Sequence, residues 1–208
     1  MQMSEKKKNY SADWDWTVFF DNVVNPPMRD TVEKALEYLG PGQGRHAVDL
    51  GCGTGNDTVH ILKAGFKVLA IDQSAEGLKR LQARENLLHP ENLKTCKSKF
   101  ESLELPSNCD FINASFALPF CPPDHLSALW QKVFDALNPG GVFAGHLFGV
   151  NDSWNNKVAD MSFCSRPEVE DMIKDFSNTQ FLQEDQHDGH DAHGRSKYWH
   201  VFSLVLQK

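Results

Sequence analysis

The chain has 208 residues, of which 40% are hydrophobic and 24% charged, the balance of an ordinary soluble globular protein with one sizeable core. A formal net charge of -7, with Lys6 to Lys8 as the only short basic run, argues against broad capture of nucleic acid or an anionic membrane. No apolar run approaches the roughly 20 residues that a membrane span needs.

The N-terminus, MQMSEKKKNY, lacks the apolar core of a signal peptide. Five widely spaced cysteines form no CxxC pair, so reduced thiols and a cytoplasmic location are expected. In chain order, Tyr10, Trp14, Trp16, Phe19 and Phe20 crowd one short segment. They either seal one end of the core or form a flap over an active site. Pro26-Pro27 is expected to open a helix running to about Leu39.

From there short β runs alternate with helical periods. HAVDL (His46 to Leu50) is a strand, Asp57 to Lys63 a helix ended by Gly65, and KVLAID (Lys67 to Asp72) a second strand. Ser74 caps a helix from Ala75 to Leu87, with Leu78, Leu81 and Leu88 on one face. Leu93 to Ser98 and Cys109 to Ala114 are strands. Pro123 to Leu137 is a helix with Leu126, Leu129, Trp130, Val133 and Leu137 at helical spacing. Asn138 to Gly141 turns the chain into a strand from Val142 to Phe148. Ser165 caps a helix from Arg166 to about Phe176, and Phe181 to His187 and Lys197 to Leu206 read as strands joined by Asp188 to Gly194. A link that short makes them antiparallel. The alternation predicts one domain over 1–208, with a mostly parallel sheet over 45–206 and a cap and helix over 1–40.

VDLGCGTGND (Val48 to Asp57) follows a strand and opens a helix. Its Gly51, Gly53 and Gly55 let the backbone bend and approach a ligand. Asp72 follows at the end of the next strand, where a carboxylate accepts the ribose hydroxyls of an adenosine. A dinucleotide loop would read GxGxxG; here the spacing is GxGxG, with Asn56 in the last dinucleotide position. Asp49 precedes the first glycine. A carboxylate there repels a pyrophosphate but suits the ammonium of S-adenosylmethionine, and a nicotinamide or flavin site is the alternative.

DLGCGTG followed by AIDQS resembles the first two motifs of class I S-adenosylmethionine-dependent methyltransferases. KFESLELP, CDFINASFALPF and LNPGGVFAGHLFG resemble the later segments of that family in order. The resemblance covers about 45 to 206. It implies a three-layer Rossmann-like α/β fold with a seven-stranded sheet, order 3-2-1-4-5-7-6, and strand 7 antiparallel. It also implies a donor site made by Asp49, Gly51, Cys52, Gly53, Gly55, Asp72 and Gln73, with Phe100 stacking on the adenine and Glu101 accepting its amino group. The tail, SFCSRPEVEDMIKDF and HGRSKYWHVFSLVL, resembles the tellurite-resistance methyltransferases and their small-molecule relatives.

Methyl transfer from a sulfonium needs alignment and exclusion of water, and a base only where the acceptor atom carries a proton. Ligands in such sheets bind beyond the carboxyl ends of the strands. Position therefore nominates Asn113 and Ser115 for the methionine part, and His146 for acid–base work or acceptor orientation. Both assignments compete with plain structural roles. Trp14, Trp16, Phe19, Phe116, Phe148 and Trp154 are candidates for the acceptor wall. Among the histidines of the tail, His187, His190, His193 and His200, the HxxH pair His190 and His193 sits in the predicted hairpin loop, too loose for a metal set, so no metal is expected. The expected partner is a small-molecule acceptor, the expected state a monomer or homodimer. A protein that binds the donor without chemistry, or one that methylates a macromolecule, are the alternatives.

Overall fold

The computed structural model describes residues 16–24 and 26–208. Trp14 and Tyr10 lie outside the described residues. The sheet is built from β1 (His46–Leu50), β2 (Lys67–Asp72), β3 (Leu93–Lys97), β4 (Cys109–Ala114), β5 (Leu137–Gly149), β6 (Phe163–Cys164), β7 (Asn178–His190) and β8 (Ser196–Gln207). Its order is β3-β2-β1-β4-β5-β8-β7, with the two-residue β6 pairing only β5. Apart from β6, this is the expected 3-2-1-4-5-7-6 arrangement. β8 runs antiparallel to both of its neighbours.

Central strands are buried on both faces, so their alternation sorts residues between two cores. Val48 and Leu50 of β1 join the cluster under α5 (Pro123–Ala136) and α6 (Arg166–Ile173). Ala47 turns the other way, against α2 (Asp30–Leu39) and α3 (Thr58–Lys63). α5 buries Leu126, Leu129, Trp130 and Val133, the expected stripe, and Trp130 donates to the Met172 carbonyl of α6 at 2.7 Å. Leu137 begins β5 instead of ending α5. That strand takes in the Asn138 to Gly141 segment read as a turn.

Other boundaries also moved. α2 starts at Asp30, because Pro26 and Pro27 hold the preceding chain extended; Arg29 itself has ψ 141°. α4 (Ala75–Gln82) is capped by Ser74, which accepts from Gly77 N at 3.1 Å, but it stops short and leaves Leu88 half exposed. Beyond its end Arg84 donates to the Thr54 carbonyl and the Asn56 side chain, both at 3.0 Å. The hairpin strands are longer than expected, with β7 paired to β8 out to His190–Ser196. The turn is tied by Asp191, whose carboxylate accepts from His193 N and Arg195 N. α1 (Trp16–Asn22) carries the aromatic segment as a helix.

Candidate cofactor and acceptor site

The carboxyl ends of β1, β2, β4 and β5 open on a cavity of about 610 Å³. At one end lies the glycine loop. Gly51 N and Cys52 N both donate to the Ile71 carbonyl, which bends the loop back onto β2. Gly51 has φ 65°, and a Cβ there would lie 2.5 Å from that of Ala117, so only glycine fits between loop and β4. Gly51, Cys52 and Gly53 line the cavity. Gly55 does not. Its missing side chain makes room for Leu81 of α4, whose Cδ1 would lie 2.2 Å from a Cβ. Its role is therefore to dock the helix under the loop.

Asp72 ends β2 and faces the cavity. One carboxylate oxygen accepts from Gly53 N at 2.8 Å, the other from Ser74 N at 2.7 Å. Burial raises its pKa, and the two N–H bonds oppose that shift. Each oxygen keeps a lone pair for a ligand hydroxyl. Gln73, Phe100 and Glu101 line the cavity nearby, the last two on a short 3-10 turn, Phe100–Ser102.

Asp49 is buried between Thr58, whose hydroxyl donates to it, and Asn113, whose amide donates at 2.8 Å. Burial first, then the neighbouring Asp57, pushes its carboxyl up to about 7. Such a group gains from a cation placed beside it. Asn113 itself is fully buried and does not reach the cavity; it orients Asp49 and accepts from Ser115 at 3.0 Å. Ser115 lines the cavity. Cys52 is no nucleophile: burial raises its thiol pKa well above the usual value, with Asp49 adding to the shift.

The other end is aromatic. Trp16, Phe19, Phe116, Phe148 and Trp154 all line the cavity. Trp16 packs edge-on against Phe120, with ring centroids 5.1 Å apart. Phe116 adopts φ 52°, an uncommon left-handed backbone for a bulky residue. Its ring stacks on His146 at 4.0 Å. His146 is 2% exposed, does not line the cavity, and its Nδ1 has no hydrogen-bond partner. Burial, aided by Arg29, pushes its imidazole down to about 3. Its ring is covered by Phe116, and its surroundings favour the neutral imidazole.

Several lining residues escaped the sequence reading. Arg29 enters because its extended backbone aims it inward, 4.8 Å over the Phe116 ring. Trp199 enters because β8 faces the cavity with alternate residues, Trp199 and Val201. His187, His190 and Ala192 enter because the hairpin is long enough to fold over the opening. His190 therefore stands on a strand, not in a loop, and His187 lies on the strand expected for it. Among the described residues no group of three His, Cys, Asp or Glu side chains is arranged to hold a metal. Nor is any described helix long and apolar enough to cross a membrane.

Residues 47–141 match the methyltransferase domain family. An uncharacterized methyltransferase of Bacillus thuringiensis is 33% identical over 115 residues, covering 54% of this chain and 52% of that protein. The chain thus spans about half the length of the curated relatives it matches. Among solved structures, TehB from Haemophilus influenzae superposes with a TM-score of 0.72 at 17% identity, over 87% of this chain and 62% of that one. The 1,6-didemethyltoxoflavin-N1-methyltransferase of Burkholderia thailandensis, with S-adenosylhomocysteine bound, gives 0.59 at 18% identity, over 87% and 77%. At such identities the likeness is one of fold. With the glycine loop, the Asp72 carboxylate and the sheet order, the matched segment, residues 47–141, is similar to the methyltransferase domain family.

Proposed function

We propose that this protein transfers a methyl group from S-adenosylmethionine to a small-molecule acceptor. The observation that carries the reading is a single cavity with two chemically distinct ends. One has a glycine loop and buried carboxylates; the other has aromatic rings from α1, β5, β8 and the segment after β4. The donor, when bound, supplies a sulfonium methyl whose leaving group is a neutral thioether.

In this reading Asp72 takes the ribose hydroxyls, and Phe100 and Glu101 flank the adenine. Asp49 lies by the amino-acid ammonium, with Asn113 and Thr58 orienting it. Arg29 lines the cavity and has no ion-pair partner among the described residues, which suits it to the amino-acid carboxylate. Phe116, Phe148, Trp154 and Trp16 exclude water and hold the acceptor in line. The toxoflavin-type enzyme is named for a small-molecule acceptor, which supports an acceptor of that size.

Calorimetry with S-adenosylmethionine and S-adenosylhomocysteine, followed by an acceptor screen with methyl-labelled donor, tests the reading. Binding and transfer to a small molecule are expected. No binding of either nucleoside would sink it; binding without transfer across a broad screen would favour a non-catalytic binder.

A further inference from the structure

The cavity wall made by Phe148, Trp154 and Trp199 is backed by a cation of the protein's own. The Lys197 ammonium lies 3.8 Å from the Trp154 ring centroid, 4.3 Å from Trp199 and 5.0 Å from Phe148. All three rings line the cavity, whereas Lys197 does not, and its side chain is fully buried. It is ion-paired with Asp152, equally buried. Asp152 also accepts from Trp154 N at 3.0 Å and His200 N at 3.4 Å, while the ammonium of the pair is the group placed over the rings.

Three rings around an ammonium are the arrangement that recognises alkylammonium ligands. Here the place is taken from inside the fold. A ring face attracts a cation through its electron density, and a cation already in contact draws that density toward itself. The cavity side of the wall is left poor for a cationic guest. A small hydrated oxyanion gains little from this wall, because it has no apolar face to bury against the rings. A flat organic ring instead gains apolar burial and offset stacking.

Resting on the methyltransferase reading above, we infer that the acceptor is a planar aromatic molecule that reacts as an oxygen or sulfur anion. In that step the lone pair of the anion forms the new bond to the methyl carbon. The carbon–sulfur bond breaks and its pair stays on sulfur. Anion and sulfonium become two uncharged groups and no proton moves, so no base need touch the acceptor. An uncharged pyridine-type nitrogen would instead leave a new cation against the cation-backed wall.

The test uses the full chain saturated with S-adenosylhomocysteine and three ligands of one planar shape: benzoate, benzamide and benzamidinium. Calorimetry, or quenching of emission from the cavity tryptophans, reads their affinity. Benzoate and benzamide are expected to bind, and benzamidinium about tenfold more weakly or worse. In the double variant Lys197→Met with Asp152→Asn, which removes both buried charges, the discrimination against benzamidinium should shrink by about fivefold with affinity for S-adenosylhomocysteine unchanged. In turnover, nitrothiophenol or nitrophenol should be methylated in preference to pyridine-3-carboxamide and tellurite. Equal or tighter binding of benzamidinium, no binding of any ring, or preferred transfer to the pyridine or to tellurite would overturn the inference while leaving the donor reading intact. Failure of S-adenosylhomocysteine itself to bind would remove both.

Discussion

Asn22 of α1 donates its side-chain amide to the carbonyl of Ala192 at 2.9 Å, across 170 positions of sequence. The first described helix and the last hairpin therefore meet over the cavity that both help to line. On its other side α1 is held by Asp21, which pairs with Arg80 of α4 at 2.6 Å. These contacts are exposed, and exposed bonds of this kind contribute roughly 1 kcal/mol or less each. Asn22→Ala is expected to leave the denaturation midpoint nearly unchanged and to speed release of S-adenosylhomocysteine by about threefold. Stopped-flow dissociation reads the rate; an unchanged rate would mean that the closure is not limiting for release.

Asp72 should decide nucleoside affinity. Asp72→Asn keeps one acceptor oxygen but loses the charge, and a charged hydrogen bond is worth about 1.5–3 kcal/mol. An affinity loss of about 10- to 100-fold for S-adenosylhomocysteine follows. The same factor should appear with adenosine alone, because the contact is to the ribose. A loss confined to the full donor would place Asp72 elsewhere in the site.

Asp49 predicts two pH effects of opposite sense. Its carboxyl sits at about 7 in the fold against an ordinary 3.8. A raised acid pKa means that the folded state holds the proton more tightly, so the stability it contributes is present at low pH and is lost as pH rises from about 4 through about 7. The melting temperature of the ligand-free protein should fall over that window relative to Asp49→Asn. Donor affinity should rise over its upper part, because the ammonium favours the ionised carboxylate. Calorimetry in buffers of different ionisation heat should detect proton release on binding near pH 6 to 7, absent in Asp49→Asn.

His146 should not appear in the pH–rate profile. Its imidazole is already neutral at any pH well above about 3 and is covered by Phe116. His146→Phe keeps an aromatic ring against Phe116 and removes the unpartnered Nδ1. It is expected to change kcat by no more than about threefold and to leave the profile's shape alone. A lost limb between pH 5 and 8 would restore an acid–base role.

Gly55→Ala should unfold the protein more readily without touching the ligand. The alanine would be strained at φ 82° and would press on Leu81. The expected cost is about 2–4 kcal/mol by chemical denaturation. Adding Leu81→Ala opens the space but not the backbone strain, so the double variant should be less destabilised than the sum of the two singles.

The donor end was legible in the sequence because it is built from contiguous backbone. Gly51, Cys52 and Gly53 are neighbours, and Asp72 ends the strand that pairs in register with β1. Asn113 and His146 were nominated by lying near carboxyl ends of strands, yet alternation turned both inward, where one orients Asp49 and the other supports Phe116. The acceptor end was only half legible. Phe116, Phe148, Trp154 and Trp16 could be named as bulky residues near the mouth. Arg29, Trp199 and His190 could not, because each reaches the cavity through a helix start, a strand register or a hairpin length that sequence patterns set only to within a few residues.

By itself, the order of residues determined the class of sheet and the glycine loop, since each rests on local spacing and on backbone geometry that only certain residues allow. Tertiary structure alone decided which face Lys197 would share with Trp199, and how close its ammonium would come to Trp154 and Phe148. Those residues come from β5, from the loop after it and from β8, and their contact depends on burial and pairing summed over the whole fold. That is why the glycine loop is legible in one short motif and the ring-lined wall of the cavity only in three dimensions.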